Sequence, residues 1–127
     1  MKLLWICFIA LFSCSLFARP LVIKDINKPI VISKKNPEFV ISLPANSTTG
    51  YCWVLNGDYN ANLITPVKHY YKASNKKLIG APGKDVWLFT VNPIALKVPT
   101  TFSITLIYIR PWELHPVKSV TLQVVTE

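Results

Sequence analysis

Apolar and polar residues alternate along most of this chain with a period of two. Phe39-Val40-Ile41-Ser42-Leu43 is one such run, and Tyr51-Cys52-Trp53-Val54-Leu55 is another, with Tyr51, Trp53 and Leu55 on one face. Val86 to Val91 is a third. In Thr100 to Ile109, the longest, Phe102, Ile104, Leu106 and Tyr108 share a face. Ser119 to Val125 closes the chain with Val120, Leu122 and Val124 alternating. Leu21-Val22-Ile23, Ile30-Val31-Ile32 and Leu63 to Val67 are weaker strand candidates. Prolines at 29, 37, 44, 66, 82, 93, 99, 111 and 116 interrupt any helical window of about twelve residues. The pattern predicts an all-β domain of seven or eight short strands. Two sheets burying their alternating faces against each other give a β-sandwich.

The first residues do not share this pattern. Lys2 is followed by ten apolar residues, Leu3 to Phe12, and then by Ser13-Cys14-Ser15-Leu16-Phe17-Ala18. That is the layout of a secretory signal peptide, too short to span a bilayer as a helix. Cleavage after Ala18 makes 1–18 a leader and 19–127 a single exported domain, secreted or periplasmic. A lipoprotein leader is the second reading, and only then, lipidated at Cys14, is the domain held at a membrane. Removal of the leader leaves Cys52 as the one cysteine, so no disulfide staples the domain and its core must carry it.

Charge changes the picture little. The chain carries +8, and loss of Lys2 with the leader leaves +7. The lysines are spread from Lys24 to Lys118, with short pairs at Lys34-Lys35 and Lys76-Lys77. A nucleic-acid surface needs clustered charge, so no nucleic-acid partner is expected. Steering of acidic partners fits the balance.

Catalytic chemistry finds few parts. His69 and His115 have no partner at metal-binding or catalytic spacing, so neither a metal nor a cofactor is expected. The acids are scattered. Cys52 lies inside a strand beside Trp53, without the basic partner or helix N-terminus that makes a reactive thiolate. Gly80-Ala81-Pro82-Gly83 lacks the Lys-Ser/Thr and helix of a phosphate loop. The chain is therefore read as a binding protein. An enzyme using Cys52 or the histidines is a remote third option.

Three segments between strands carry unusual residues. Pro44 to Gly50 is small and polar and ends in a glycine able to turn the chain sharply into the Tyr51 strand. Ile79 to Lys84 sets two glycines around a proline. Arg110-Pro111-Trp112-Glu113 joins two residue types enriched in binding hot spots through a stiff proline. Loops of a sandwich gather at its ends, so three such loops can form one binding surface on a rigid frame. Such a domain could also be an exported adhesion or structural module that binds a surface glycan or protein.

The same residues resemble a known family, the chagasin-like inhibitors of cysteine peptidases. Asn46-Ser47-Thr48-Thr49-Gly50-Tyr51 followed by Trp53 is similar to that family's NPTTGY-x-W signature. Gly80-Ala81-Pro82-Gly83 resembles its glycine-rich loop, and Arg110-Pro111-Trp112 its RPW motif. Order and spacing agree across nearly the whole exported chain. Ser47 stands where the family has proline, which implies a less rigid first loop. Ala81-Pro82 between the glycines is a further departure. The resemblance implies an immunoglobulin-like β-sandwich, acting as a monomer, that blocks papain-like cysteine proteases reversibly and without a covalent bond. It implies that Thr48 sits nearest the enzyme's catalytic cysteine, with Thr49 and Gly50 alongside. The Gly80–Gly83 and Arg110–Trp112 loops would grip the two sides of the cleft.

Overall fold

The computed structural model describes residues 19–75 and 81–127. The expected leader at 1–18 and Gly80 lie outside the described residues. Eight strands are present among them: β1 (Leu21–Val22), β2 (Ile30–Ile32), β3 (Glu38–Ala45), β4 (Cys52–Leu55), β5 (Ile64–Lys72), β6 (Gly83–Val91), β7 (Thr101–Ile109) and β8 (Lys118–Thr126). They form two four-stranded sheets, β1-β3-β6-β5 and β2-β8-β7-β4. The short strands β1 and β2 pair in parallel with β3 and β8; the remaining pairs are antiparallel.

The alternation explains the burial. Phe39, Ile41 and Leu43 of β3 and Phe89 and Val91 of β6 fill the first inner face. Trp53, Ile104, Leu106, Leu122 and Val124 fill the second. Phe39 and Phe89, directly opposite in register, stack with ring centroids 5.4 Å apart. Each buried side chain of this size contributes about 1.5–3 kcal/mol, and among the described residues the one cysteine, Cys52, is free, so this burial carries the core.

Prolines sit where their missing N–H costs nothing. In an antiparallel pair a residue's N–H and C=O point to the same side. The Pro44 carbonyl turns away from β6 to accept from the Trp53 indole Nε1 at 2.9 Å, so the absent donor also falls on an edge that β1 does not reach. Pro66 lies in the edge strand β5, where the register shifts before Lys68. Pro93 opens a short helix, α1 (Pro93–Lys97), that the sequence reading did not anticipate; the first helical turn has no use for its N–H. Ala95 and Leu96 of α1 close one end of the core. Strand β5 also runs five residues past the predicted Val67, through polar positions that the hydrophobic pattern could not mark.

Register fixes where the loops emerge. Ala45 of β3 pairs with Gly83 of β6, and Cys52 of β4 pairs with Ile109 of β7. Loop one, residues 46–51, crosses from one sheet to the other between these two pairs. Loop two, described at 73–75 and 81–82, joins β5 to β6 beside Gly83. Loop three, residues 110–117, turns the β7–β8 hairpin beside Ile109. All three therefore leave the same end of the sandwich, opposite α1.

Candidate functional site

Loop one is built around Asn46. Its side-chain Oδ1 accepts from the Thr48 backbone N–H at 3.1 Å and from the Thr48 hydroxyl at 2.7 Å. Its carbonyl accepts from the Thr49 hydroxyl at 2.7 Å and the Thr49 N–H at 3.3 Å. These bonds curl Ser47–Thr49 into a single 3-10 turn, which ends at Gly50 with φ of +79°. The loss of proline at Ser47 is thus offset by a side-chain cap, the usual work of asparagine before a helical turn. Both threonine hydroxyls donate within the loop, that of Thr48 to the Asn46 side chain and that of Thr49 to the Asn46 carbonyl. Thr49 Oγ1 lies 3.4 Å from the Tyr51 N–H as well. Ser47, Thr48 and Thr49 remain exposed.

The base of loop one is tied to both sheets. The Asn46 N–H donates to the Tyr108 hydroxyl at 3.2 Å, and the Trp53 ring donates to the Pro44 carbonyl. The Trp53 backbone N–H donates to Oδ2 of Asp85 at 2.8 Å. Asp85 is 3% exposed, and its other oxygen faces His69 Nε2 at 3.4 Å. His69 in turn stacks on Trp87, its register partner, at 4.1 Å. Asp85 and His69 looked scattered along the chain; they meet because both point inward from adjacent strands. Asp85 matters here because it holds the edge strand β4 to the opposite sheet directly below loop one.

Cys52 lies beside this carboxylate, half-buried, with Sγ 3.8 Å from the Ile109 carbonyl. Burial first, and the charge of Asp85 second, push its thiol up from the ordinary value. That is the opposite of the depression a catalytic thiolate requires. Among the described residues no three metal-ligating side chains come together.

Arg110 joins loop three to loop one. Its Nε donates to the Thr49 carbonyl at 3.0 Å, and its Nη1 meets Glu113 Oε1 at 3.3 Å. The guanidinium lies 4.2 Å from the Tyr51 ring centroid. Tyr51 stacks on Tyr108, which packs against Trp53, so the contact reaches the core. The Glu113 N–H closes a turn onto the Arg110 carbonyl, and the Val117 N–H closes the loop's base onto Tyr108. Pro111 and Trp112 project from this turn. Trp112 is 71% exposed; it does not fold back on the sandwich edge but leans over Gly50.

Loop two departs from the expected span. Gly83 is no loop residue: it is buried, opens β6 and pairs with Ala45. A Cβ there would run into the Lys72 carbonyl and the Tyr71 ring, so the position must be glycine. Ala81 and Pro82 belong to the loop itself. The structure thus brings loops one and three into direct contact, and places Ala81 and Pro82 beside them through the β3–β6 ladder.

Comparison with known proteins gives a family and a fold. The model of the chagasin family of peptidase inhibitors (I42) matches residues 33–124. Chagasin of Trypanosoma cruzi is 36% identical over 76 residues, covering 57% of this chain and 64% of that protein, slightly less than two thirds of its length. The structure of EhICP2, a cysteine protease inhibitor from Entamoeba histolytica, superposes with a TM-score of 0.63 at 26% identity, over 84% of this chain and 92% of that one. The solution structure of amebosin shares the fold, with a TM-score of 0.59 at 24% identity over 87% and 98% of the two chains.

Proposed function

Because the chain belongs to the chagasin family of peptidase inhibitors, we propose that it reversibly inhibits papain-like cysteine proteases by wedging three loops into the active-site cleft. Membership in a family of inhibitors also bears out the expectation that it is not an enzyme. The observation that carries the proposal is the bond from Arg110 to the Thr49 carbonyl, which locks the exposed 47–49 turn and the exposed Trp112 into one rigid edge.

A substrate must open its backbone so that a carbonyl reaches the near-attack position of the thiolate. Loop one cannot easily do so. Its N–H and hydroxyl groups are bonded back to Asn46 and Ser47, and uncurling it would break those bonds. Thr48 sits at the turn and would lie nearest the catalytic cysteine, with Thr49 and Gly50 beside it. Ala81 and Pro82, with Gly80, would meet one wall of the cleft, while buried Gly83 seats their strand, and Arg110-Pro111-Trp112 would meet the other. Because the loops are ordered before binding, little conformational entropy is lost on association, and an interface of roughly 1,600 Å² suffices for tight inhibition.

The leader favours export of residues 19–127 to the periplasm or beyond, with membrane attachment only through Cys14; the exported domain is read as a monomer. Titration of several papain-like proteases with the 19–127 domain tests the proposal. Full, reversible loss of peptidase activity with one domain per enzyme is expected. Undiminished activity at micromolar domain would refute it.

A further inference from the structure

The outer face of the β1-β3-β6-β5 sheet carries a charge arrangement that the three loops do not use. Along β5, Lys68, Tyr70 and Lys72 alternate outward, all exposed, and the Lys68 ammonium lies 5.1 Å from the Tyr70 ring centroid. Lys72 is directly opposite Lys84 of β6 in the ladder, and both are exposed. Like charges directly opposite on a sheet repel and destabilise it. Among the described residues no acidic side chain pairs with them. The other register partner of Lys84 is Pro44, and the next positions along that face are Ser42 and Val86. Asp85 is buried on the inner face, and Glu113 is engaged by Arg110. Glu38, at the far end of β3, accepts from the Thr90 hydroxyl. Among the described residues neither Lys72 nor Lys84 forms a salt bridge.

This patch is continuous with loop two. Lys72 is the last residue before the loop, and Lys84 follows Gly83. A body seated on the three loops would border it. At physiological salt a charge is felt over about 8 Å, so these lysines act on the bound partner while those at the far end do not. Lys34 and Lys35 are at that far end, in the Ser33–Asn36 turn that precedes β3.

We infer that Lys72 and Lys84 form an accessory contact surface for the target protease, facing acidic side chains on the rim of its cleft. The inference rests on the inhibitor reading above. The repulsion between Lys72 and Lys84 is tolerated in the free domain and relieved when acidic groups approach. The lysines then steer encounter and select among proteases of the same mechanism by the charge of their rim, which acts mainly on the association rate.

The test compares the parent domain with K72E/K84E and with K34E/K35E, which change net charge equally. Association is followed by progress curves with two papain-like proteases, one acidic and one basic around the cleft, at roughly 0.05 M and 0.5 M salt. At low salt K72E/K84E should slow association with the acidic protease by about tenfold and quicken it with the basic one, while K34E/K35E shifts either rate less than about twofold. At high salt the difference should shrink to about twofold. The single variant K72E sets an opposite charge against Lys84, so it should melt no lower than the parent and still associate more slowly. That outcome separates a contact role from a structural one. Equal rates for the two double variants would overturn the inference and leave the inhibitor reading standing. Failure of the parent domain to inhibit either protease at micromolar concentration would overturn both.

Discussion

Replacing Gly50 by alanine should damage the site twice, by two mechanisms that can be separated. Gly50 has φ of +79°, a conformation that costs an L-residue about 1–2 kcal/mol. For a domain of this size that lowers the midpoint of thermal unfolding by roughly 4–8 °C. The second effect is a contact. A Cβ on Gly50 would stand 2.8 Å from Cη2 of Trp112, closer than carbon atoms approach. Trp112 is mostly exposed and can swing aside, so the clash adds little to unfolding but moves the indole off its seat. Truncating a hot-spot tryptophan costs about 2 kcal/mol or more, roughly 30-fold in the inhibition constant. Displacing it should cost a large part of that, about tenfold. The assay is a double-mutant cycle of Gly50→Ala and Trp112→Ala, read as inhibition constants against a papain-like protease, with thermal unfolding measured in parallel. In the Trp112→Ala background, Gly50→Ala should change inhibition less than about threefold, because the ring it displaces is gone. Gly50→Asn supplies a residue tolerant of positive φ that still carries a Cβ; it should recover stability and not affinity. Additive effects in the cycle, or affinity restored by asparagine, would refute the contact between the two loops.

Four further outcomes follow from the same geometry. Asn46→Ala removes the cap of the 3-10 turn, and should cost about 1 kcal/mol in denaturant unfolding and several-fold in inhibition, with Asn46→Asp nearer the parent. Asp85→Ala strands the buried Trp53 N–H and should cost about 1–3 kcal/mol; Asp85→Asn, which keeps an acceptor, should cost less, and equal losses would show that the hydrogen bond is not the cause. The raised thiol of Cys52 should react with iodoacetamide more slowly than a free cysteine. The native thiol keeps its proton to higher pH than the unfolded chain does, so its contribution to stability falls as pH rises past about 8.5, and Cys52→Ala should lessen that fall. Arg110→Lys keeps the charge but not the fork that reaches Thr49 and Glu113 while lying on Tyr51; inhibition should weaken about tenfold with little loss of stability, and an unchanged inhibition constant would show that the fork is dispensable.

Strand positions and the loop set were legible in the sequence because alternation reports which face is buried. Phe102, Ile104, Leu106 and Tyr108 could be assigned to one face by counting alone. Features that depend on register were not. Asp85 occupies an inward position in the series Asp85, Trp87, Phe89, Val91, and a lone acid in such a series signals a buried carboxylate with a partner across the core. Its partners, the Trp53 N–H and His69, come from strands whose pairing the chain does not announce. The direction of the Thr48 and Thr49 hydroxyls was not legible for a related reason. Their direction depends on whether the loop curls, and the cap by Asn46 decides that. Gly83 read as flexible loop, yet it is a glycine because the Lys72 backbone and the Tyr71 ring leave no room for a side chain.

The divided labour within loop three has a physical consequence. Arg110 spends its hydrogen bonds on Thr49 and Glu113 and its planar face on Tyr51, so it has little left for a partner. Trp112 makes few contacts of its own and presents most of its surface; Leu114, two residues on, is 90% exposed. The positive residue therefore acts on affinity through order, and the aromatic one through area. Ordering a loop on binding costs about 0.5–1.5 kcal/mol for each side chain immobilised, and the Arg110 bonds meet that cost during folding. The same holds for loop one, where Asn46 does the work that a proline at position 47 would do through its ring. Rigidity at this site thus depends on a few hydrogen bonds rather than on backbone stiffness, and single substitutions at Asn46 or Arg110 can loosen the loops while leaving the core of the sandwich intact.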